Sequence, residues 1–246
     1  MRDGDFTTFG EFDALVDQRL SDLESEGASM RLVGMLFMRQ GQSLTDKEIT
    51  PSLEYLHGRS GDHIDFYLAG WKFYARSEGV ASSSWTFDLD AFLKAQDAIE
   101  SETDWSYSGG VDLLLMTASK RIEANTHSTY HSHKRVHYAV DMTGVISIPV
   151  HSLVKANLIE SPDILFERII RFAKMFEGKD PLLGLTAQEA RVSVVEGLTG
   201  TVLGLLPKEA KERLDYAKHF AIKDVSKKGS RRTAIVKVDT DTNTYP

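Results

Sequence analysis

Two kinds of hydrophobic pattern alternate along this chain. Near-continuous apolar runs are typical of strands that are buried on both faces of a sheet. The predicted strands of this kind are 32–38, 64–70 and 111–116. Apolar residues at three- and four-residue spacing, which predict amphipathic helices, fill the intervals between them. The predicted helices are 8–24, one from Thr50 to Gly58 or Gly61, and one that begins at Asp88.

Capping residues indicate where these helices begin. Thr8 followed by Glu11 matches a capping box, in which two side chains bond the free backbone N–H groups of the first turn. Thr50 stands before Pro51, and proline is favoured at the first helical position. We therefore expect helix starts at Thr8, Thr50 and Asp88.

A polar, histidine-rich excursion at 118–138 opens the second half of the chain. The stretches 136–140 and 145–150 both suit strands, and the residues 142–144 between them predict the turn of a hairpin. A short helix at 152–159 follows. The most regular amphipathic pattern then begins at Pro162 and ends before Gly178.

The last third differs in composition. The segment 189–206 mixes small and apolar residues with three glycines, and a final helix is predicted from Pro207. We predict a sheet domain at 1–180, a helical extension at 181–225 packed on it, and a basic, then polar tail at 226–246. The predicted fold class is α/β, with a central, mainly parallel or mixed sheet of about five strands, helices on both faces and a helical C-terminal region.

The composition of the chain narrows the classes of protein to which it can belong. The 246 residues are 41% hydrophobic and 26% charged, within the ordinary globular range. The net charge of −7 makes nucleic acid an unfavoured partner, because nucleic-acid binding draws on basic surface. No cysteine is present, which excludes disulfides, thiolate metal sites and cysteine nucleophiles. Without a signal peptide or a long apolar run, we expect a cytoplasmic protein that does not enter a membrane.

Four histidines within eleven residues are the most unusual feature of the sequence. They are His127, His131, His133 and His137. Imidazole is a ligand for zinc, copper, iron and nickel, so one hypothesis is that the cluster binds a divalent transition metal. The spacing mixes the periods of strand and helix, and Lys134 and Arg135 within the cluster disfavour a cation. The alternative is an exposed polar loop without a metal.

Asp112 is the one candidate catalytic acid. It follows two glycines at the head of an apolar strand, a position where metal-dependent nucleases with a D…E-x-K core hold a divalent cation. The required E-x-K is missing from the residues that follow. The alternative is that Asp112 binds a neighbouring backbone amide.

Trp71, Trp105 and Tyr107 lie at strand ends and loops around the predicted sheet. Ligand sites of open α/β sheets form outside the carboxyl ends of the strands. These rings therefore predict either a small-molecule pocket or, as the competing interpretation, a closure of the hydrophobic core.

A basic segment near the C-terminal end is a candidate site for phosphate or for an acidic partner surface. Its residues are Lys227, Lys228, Arg231 and Arg232. A solvated linker is the alternative. Nucleotide-binding loops, nucleophile elbows and zinc-protease motifs are all missing from the sequence.

These observations favour a non-catalytic protein that acts by binding a protein partner or by assembling into an oligomer. The alternative is a metal-dependent hydrolase or nuclease that uses Asp112 and the cluster His127 to His137. A further possibility is an accessory subunit of a bacterial stress or phage-defence system. A catalytic site requires the histidines and an acid to converge, whereas a binding protein is expected to show an exposed apolar patch.

Overall fold

The computed structural model of this chain describes residues 1–22, 30–61, 63–74, 84–124 and 134–177. Within these ranges there are seven strands and five α-helices. The strands are β1 (Arg2–Gly4), β2 (Met30–Phe37), β3 (Ile64–Ala69), β4 (Trp71–Tyr74), β5 (Ser84–Phe87), β6 (Asp112–Ala124) and β7 (Lys134–Pro149). The helices are α1 (Phe9–Asp22), α2 (Thr50–Ser60), α3 (Leu89–Glu102), α4 (Val150–Lys155) and α5 (Pro162–Glu177).

Five strands form one sheet in the order β1-β3-β2-β6-β7, while β4 and β5 pair as a separate two-stranded ribbon. β1 and β2 both run parallel to β3, whereas β6 runs antiparallel to β2 and to β7. Of the two predicted forms, mainly parallel or mixed, the mixed sheet is the one observed. The connection from β2 to β3 passes through α2, which allows the parallel pairing.

Each face of the sheet has its own hydrophobic core. Along β2, Leu32 and Leu36 lie in one core while Val33 and Met35 lie in the other, in the period-two alternation of a strand. Apolar residues of α2, α4 and α5 cover the first face, and those of α1 and α3 cover the second. The predicted α/β sheet with helices on both faces is confirmed.

The capping box of α1 forms, with one change of partner. The Thr8 hydroxyl oxygen accepts a hydrogen bond from the Glu11 N–H at 3.2 Å. The Glu11 carboxylate accepts from the N–H of Thr7 at 2.6 Å. Beyond this cap, α1 buries its apolar stripe in the core: Phe12, Val16 and Leu20.

Helical structure begins earlier than predicted before α2. A π-helical turn, Thr45–Ile49, leads directly into α2, so that Thr50 has helical dihedrals instead of those of a cap residue. Pro51 is accommodated where the hydrogen-bonding pattern changes from π to α, because proline supplies no N–H to either pattern. The predicted start of the α-helix at Thr50 is confirmed, whereas the cap role predicted for Thr50 is wrong.

The structure also corrects the hairpin predicted between the stretches 136–140 and 145–150. β7 is one continuous strand paired with β6, so the hairpin turn predicted at 142–144 is wrong. From Thr117 to Leu115 the register moves two residues along β6, while β7 moves five, from Asp141 to Ile146. The turn-like residues 142–144 therefore lie in a bulge, which lets both halves of β7 remain in the sheet.

The predicted helical extension at 181–225 and the tail at 226–246 lie outside the described residues, and the domain boundary near 180 stays a prediction. Where helices are described, none combines the length and the hydropathy that crossing a bilayer requires.

Candidate functional site

The mixed topology brings five strand ends to one edge of the sheet. β1, β3, β2 and β7 end there, and β6 begins there, because the register pairs Phe37 with Asp112 and Asp112 with Pro149. Gly4 pairs with Ala69 at the ends of β1 and β3. This carboxyl edge is where open α/β sheets hold their ligands.

The ribbon of β4 and β5 leaves this edge at Gly70. Gly70 has a φ of 72°, in the left-handed region that favours glycine. Its N–H donates to the carbonyl of Gly4 at 3.3 Å, and its own carbonyl accepts from the N–H of Asp88 at 2.8 Å. One residue thereby joins the end of β1, the base of the ribbon and the start of α3.

A groove of about 470 Å³ opens between the ribbon and the first turn of α3. The residues that line it define the ribbon groove: Lys72, Tyr74, Thr86, Phe87, Asp88, Leu89 and Asp90. Tyr74 is 56% exposed and Leu89 43% exposed, and Leu93 continues the apolar strip one turn along α3. Grouped exposed apolar residues around a concavity are typical of a binding surface.

The ribbon groove carries an excess of negative charge. The Lys72 ammonium lies 2.9 Å from the Asp5 carboxylate and 3.8 Å from that of Asp88. The hydrogen bond to Asp5 raises the pKa of Lys72, and the N–H of Ala91, which donates to Asp88, lowers the pKa of Asp88. Asp90 forms no ion pair with any described residue. The one cation among the lining residues thus already has two carboxylate partners, and Asp90 adds a further carboxylate to the groove.

Sequence reasoning did not single out the ribbon groove. The predicted second strand ends at Gly70, and the sequence predicts no element for 71–74, since four residues are too few to establish an alternation by themselves. A signal was present, because Trp85 and Phe87 alternate with polar residues just before the cap residue Asp88.

The predicted aromatic pocket residues lie at the same edge, but they are not gathered around one cavity. Trp71 is buried on one face of the sheet, where its indole N–H donates to the Met38 carbonyl at 3.0 Å. Trp105 is buried on the other face. Tyr107 is half-buried, and its hydroxyl donates to the carbonyl of Gly110 at 2.5 Å. The placement favours the interpretation that these rings close the core.

The rings form a continuous row that links the two cores. Ring centroids lie 5.3 Å apart from Trp71 to Phe87, 5.7 Å from Phe87 to Phe92 and 5.2 Å from Phe92 to Tyr107. Phe87 also lines the ribbon groove. Phe87 therefore connects the buried aromatic row to the more exposed groove.

Asp112 is buried at 1% exposure. Its two carboxylate oxygens accept hydrogen bonds from the Ser108 N–H at 2.8 Å and the Ser108 hydroxyl at 2.6 Å. Burial raises the pKa of Asp112, while Ser108, His151 and the nearby indole of Trp105 act to lower it. These contacts fix the turn before β6 and agree with the alternative role, binding a neighbouring backbone amide.

The structure separates Asp112 from the one described histidine of the predicted cluster. Asp112 is the first residue of β6, whereas His137 pairs with Arg121 farther along the same strand. At about 3.3 Å per residue, these pairing positions are about 30 Å apart. His127, His131 and His133 lie outside the described residues, as do Lys227, Lys228, Arg231 and Arg232. Among the residues that are described, no group of three His, Asp or Glu side chains could hold a metal ion.

Asp112→Asn is expected to keep the fold and to remove a pH dependence of stability. Folding raises the pKa of Asp112, so the folded state favours the protonated carboxyl. The stabilisation that this protonated carboxyl gives the folded state is lost as the pH rises from the ordinary pKa of 3.8 through the pKa of the folded state. The wild-type free energy of unfolding should therefore fall relative to the Asn variant across that interval, measured by urea titration at stepwise pH.

Asp112→Ala is the comparison for the Asn variant, because it removes both acceptors and leaves the Ser108 N–H unpaired. We expect it to lower the free energy of unfolding by about 2 kcal/mol at neutral pH. Parallel pH profiles of wild type and Asp112→Asn would show that Asp112 does not titrate as described.

Comparisons of the chain with family models, with curated proteins and with solved structures found no match. The function must therefore be inferred from the site alone.

Proposed function

We propose that this protein is non-catalytic and binds another protein through the ribbon groove. The observation that carries the proposal is the exposure of Tyr74 and Leu89 around a concavity at the carboxyl edge of the sheet. Large exposed apolar patches on soluble proteins commonly mark interaction sites, and tyrosine is enriched among the residues that dominate binding energy.

The chemistry of the groove favours binding over catalysis. Its lining residues include no histidine, and Thr86 supplies the only hydroxyl besides that of Tyr74. Asp88 is engaged as the cap of α3, where its carboxylate accepts the N–H of Ala91 at 3.1 Å. The hydrolase alternative requires Asp112 to meet the predicted histidine cluster, and the separation of Asp112 from His137 offers it no support.

A photo-crosslinker tests this proposal directly. Benzoylphenylalanine is placed at position 74 in the ribbon groove and, in a matched protein, at position 55 on α2. Tyr74 and Tyr55 are the same residue type with 56% and 55% exposure, so the two positions differ mainly in their surroundings. We expect irradiation in native cells to yield a discrete crosslinked protein from position 74 and none from position 55, as read by mass spectrometry.

Equal crosslinking from both positions, or no product from position 74, would overturn the proposal. A product that contains two copies of this chain would indicate that the chain assembles into an oligomer through the ribbon groove. A cytoplasmic location and membership of a bacterial stress or phage-defence system are parts of the same proposal, and the identity of the crosslinked protein tests both.

A further inference from the structure

We infer that the segment held in the ribbon groove is a basic one, in which a lysine or arginine is flanked by apolar residues, contributed by another protein. This inference rests on the proposed function and names the chemistry of the partner. Both the charge and the shape of the groove lead to it.

The negative charge of the groove favours a partner with a positively charged side chain. Asp88 and Asp90 line the groove with Lys72 as the one cation among its lining residues, and Lys72 is already paired with Asp5 and Asp88. Asp90, which lines the groove, forms no ion pair with a described residue. A partner that brings a positive group would gain an attraction that is unmet, whereas phosphate or an acidic segment would be repelled.

The apolar residues of the groove favour a partner segment that has apolar residues on either side of its basic residue. Tyr74 and Leu89 line the same groove as Asp90, so one short segment can bury an apolar side chain and present a cation together. An exposed tyrosine ring also attracts a cation over its face. The volume of about 470 Å³ is enough for a few side chains of a peptide segment.

A charge series of peptides tests the inference on the full chain. An array presents short peptides with a central lysine or arginine and varied apolar neighbours, and each peptide is repeated with serine and with glutamate in place of the basic residue. Binding is measured by the fluorescence anisotropy of labelled peptides, because Trp85 packs on Phe73 and does not line the groove.

We expect basic peptides to bind at least about tenfold more tightly than their serine versions, and the difference to shrink as salt is added. Glutamate versions should not bind. Binding that is indifferent to the charge of the peptide would overturn the inference.

Matched variants test whether the preference for basic peptides arises in the groove. Asp88→Asn with Asp90→Asn removes two charges and retains a good cap for α3, since asparagine caps as well as aspartate. We expect this pair to abolish the preference for basic peptides. Glu48→Gln with Asp97→Asn removes two charges from exposed positions outside the groove and should leave the preference intact.

The outcomes separate this inference from the proposed function. A position-74 crosslink to a neutral or acidic partner segment would overturn the basic chemistry alone, while no crosslink from that position would overturn both. A peptide of residues 226–233 of this chain is included in the array. If it bound more tightly than every other basic peptide, the occupant would be the chain's own basic segment and not another protein.

Discussion

Gly70→Ala is expected to lower the free energy of unfolding by about 4 kcal/mol, a large part of the roughly 5–15 kcal/mol that stabilises a typical domain. The φ of 72° at Gly70 costs an L-residue about 1–2 kcal/mol. An alanine Cβ would also lie 2.5 Å from the Cβ of Phe92 and 2.7 Å from the carbonyl oxygen of Asp88. Both atoms belong to the start of α3, so α3 would have to move.

Gly109→Ala separates the backbone cost of a left-handed φ from the steric cost of the added Cβ. Gly109 also has a left-handed φ, 84°, but an added Cβ there would meet no atom within 4 Å. We expect Gly109→Ala to lose only the backbone part, about 1–2 kcal/mol, in the same urea titration followed by circular dichroism. If the two variants were equally stable, α3 would not be fixed against Gly70 at the base of the ribbon.

The buried framework could be predicted because its signals are local. The apolar run at 32–38 identified β2, since a strand covered on both faces needs apolar residues at every position. The capping residues Thr8 and Asp88 marked the starts of α1 and α3, because a cap acts within one turn. The amphipathic pattern from Pro162 likewise predicted α5.

The remaining elements depend on contacts between residues that are distant in sequence. The turn-like residues 142–144 suggested a hairpin, but thirteen residues of β6 offer a partner along the whole of β7, and pairing prevails over the local turn preference. β1 was not predicted, because its three residues become a strand only by pairing with β3. The ribbon likewise requires Gly70 and Asp88 to bond across the chain.

The candidate site was hardest to predict for the same reason. Trp71 was correctly placed at a strand end, but whether it lines a pocket or fills the core depends on its distance from Phe87 and Met38. Exposure decides which aromatic residue is free to bind, and only the fold determines that Trp71 is buried while Tyr74 is exposed.

The double variant Asp13→Ala with Asp17→Ala is expected to destabilise the protein by about 3 kcal/mol and to promote its self-association. β7 is the outermost strand of the sheet among the described residues. Asp13 and Asp17 of α1 accept hydrogen bonds from the N–H groups of Val140 and Tyr138, each at 2.7 Å. Urea titration measures the loss of stability, and light scattering after size-exclusion chromatography measures the association.

The physical reason is that these two carboxylates take the place of a neighbouring strand. Val140 and Tyr138 are two residues apart, so both N–H groups point away from β6, toward the position a further strand would occupy. Hydrogen bonds to charged acceptors contribute about 1.5–3 kcal/mol each when a buried donor would otherwise be unpaired. Removing both acceptors exposes donors that a second β7 can satisfy.

Two controls distinguish the hydrogen bonds from other effects of substitution in α1. Asp13→Asn with Asp17→Asn keeps an oxygen acceptor at both positions and should retain most of the stability, which a loss of charge alone would not allow. Gln18→Ala changes an exposed residue of the same helix and should have almost no effect. If the double alanine variant stayed monomeric and as stable as Gln18→Ala, β7 would be protected by other means, and α1 would be held to the sheet by Phe12, Val16 and Leu20 alone.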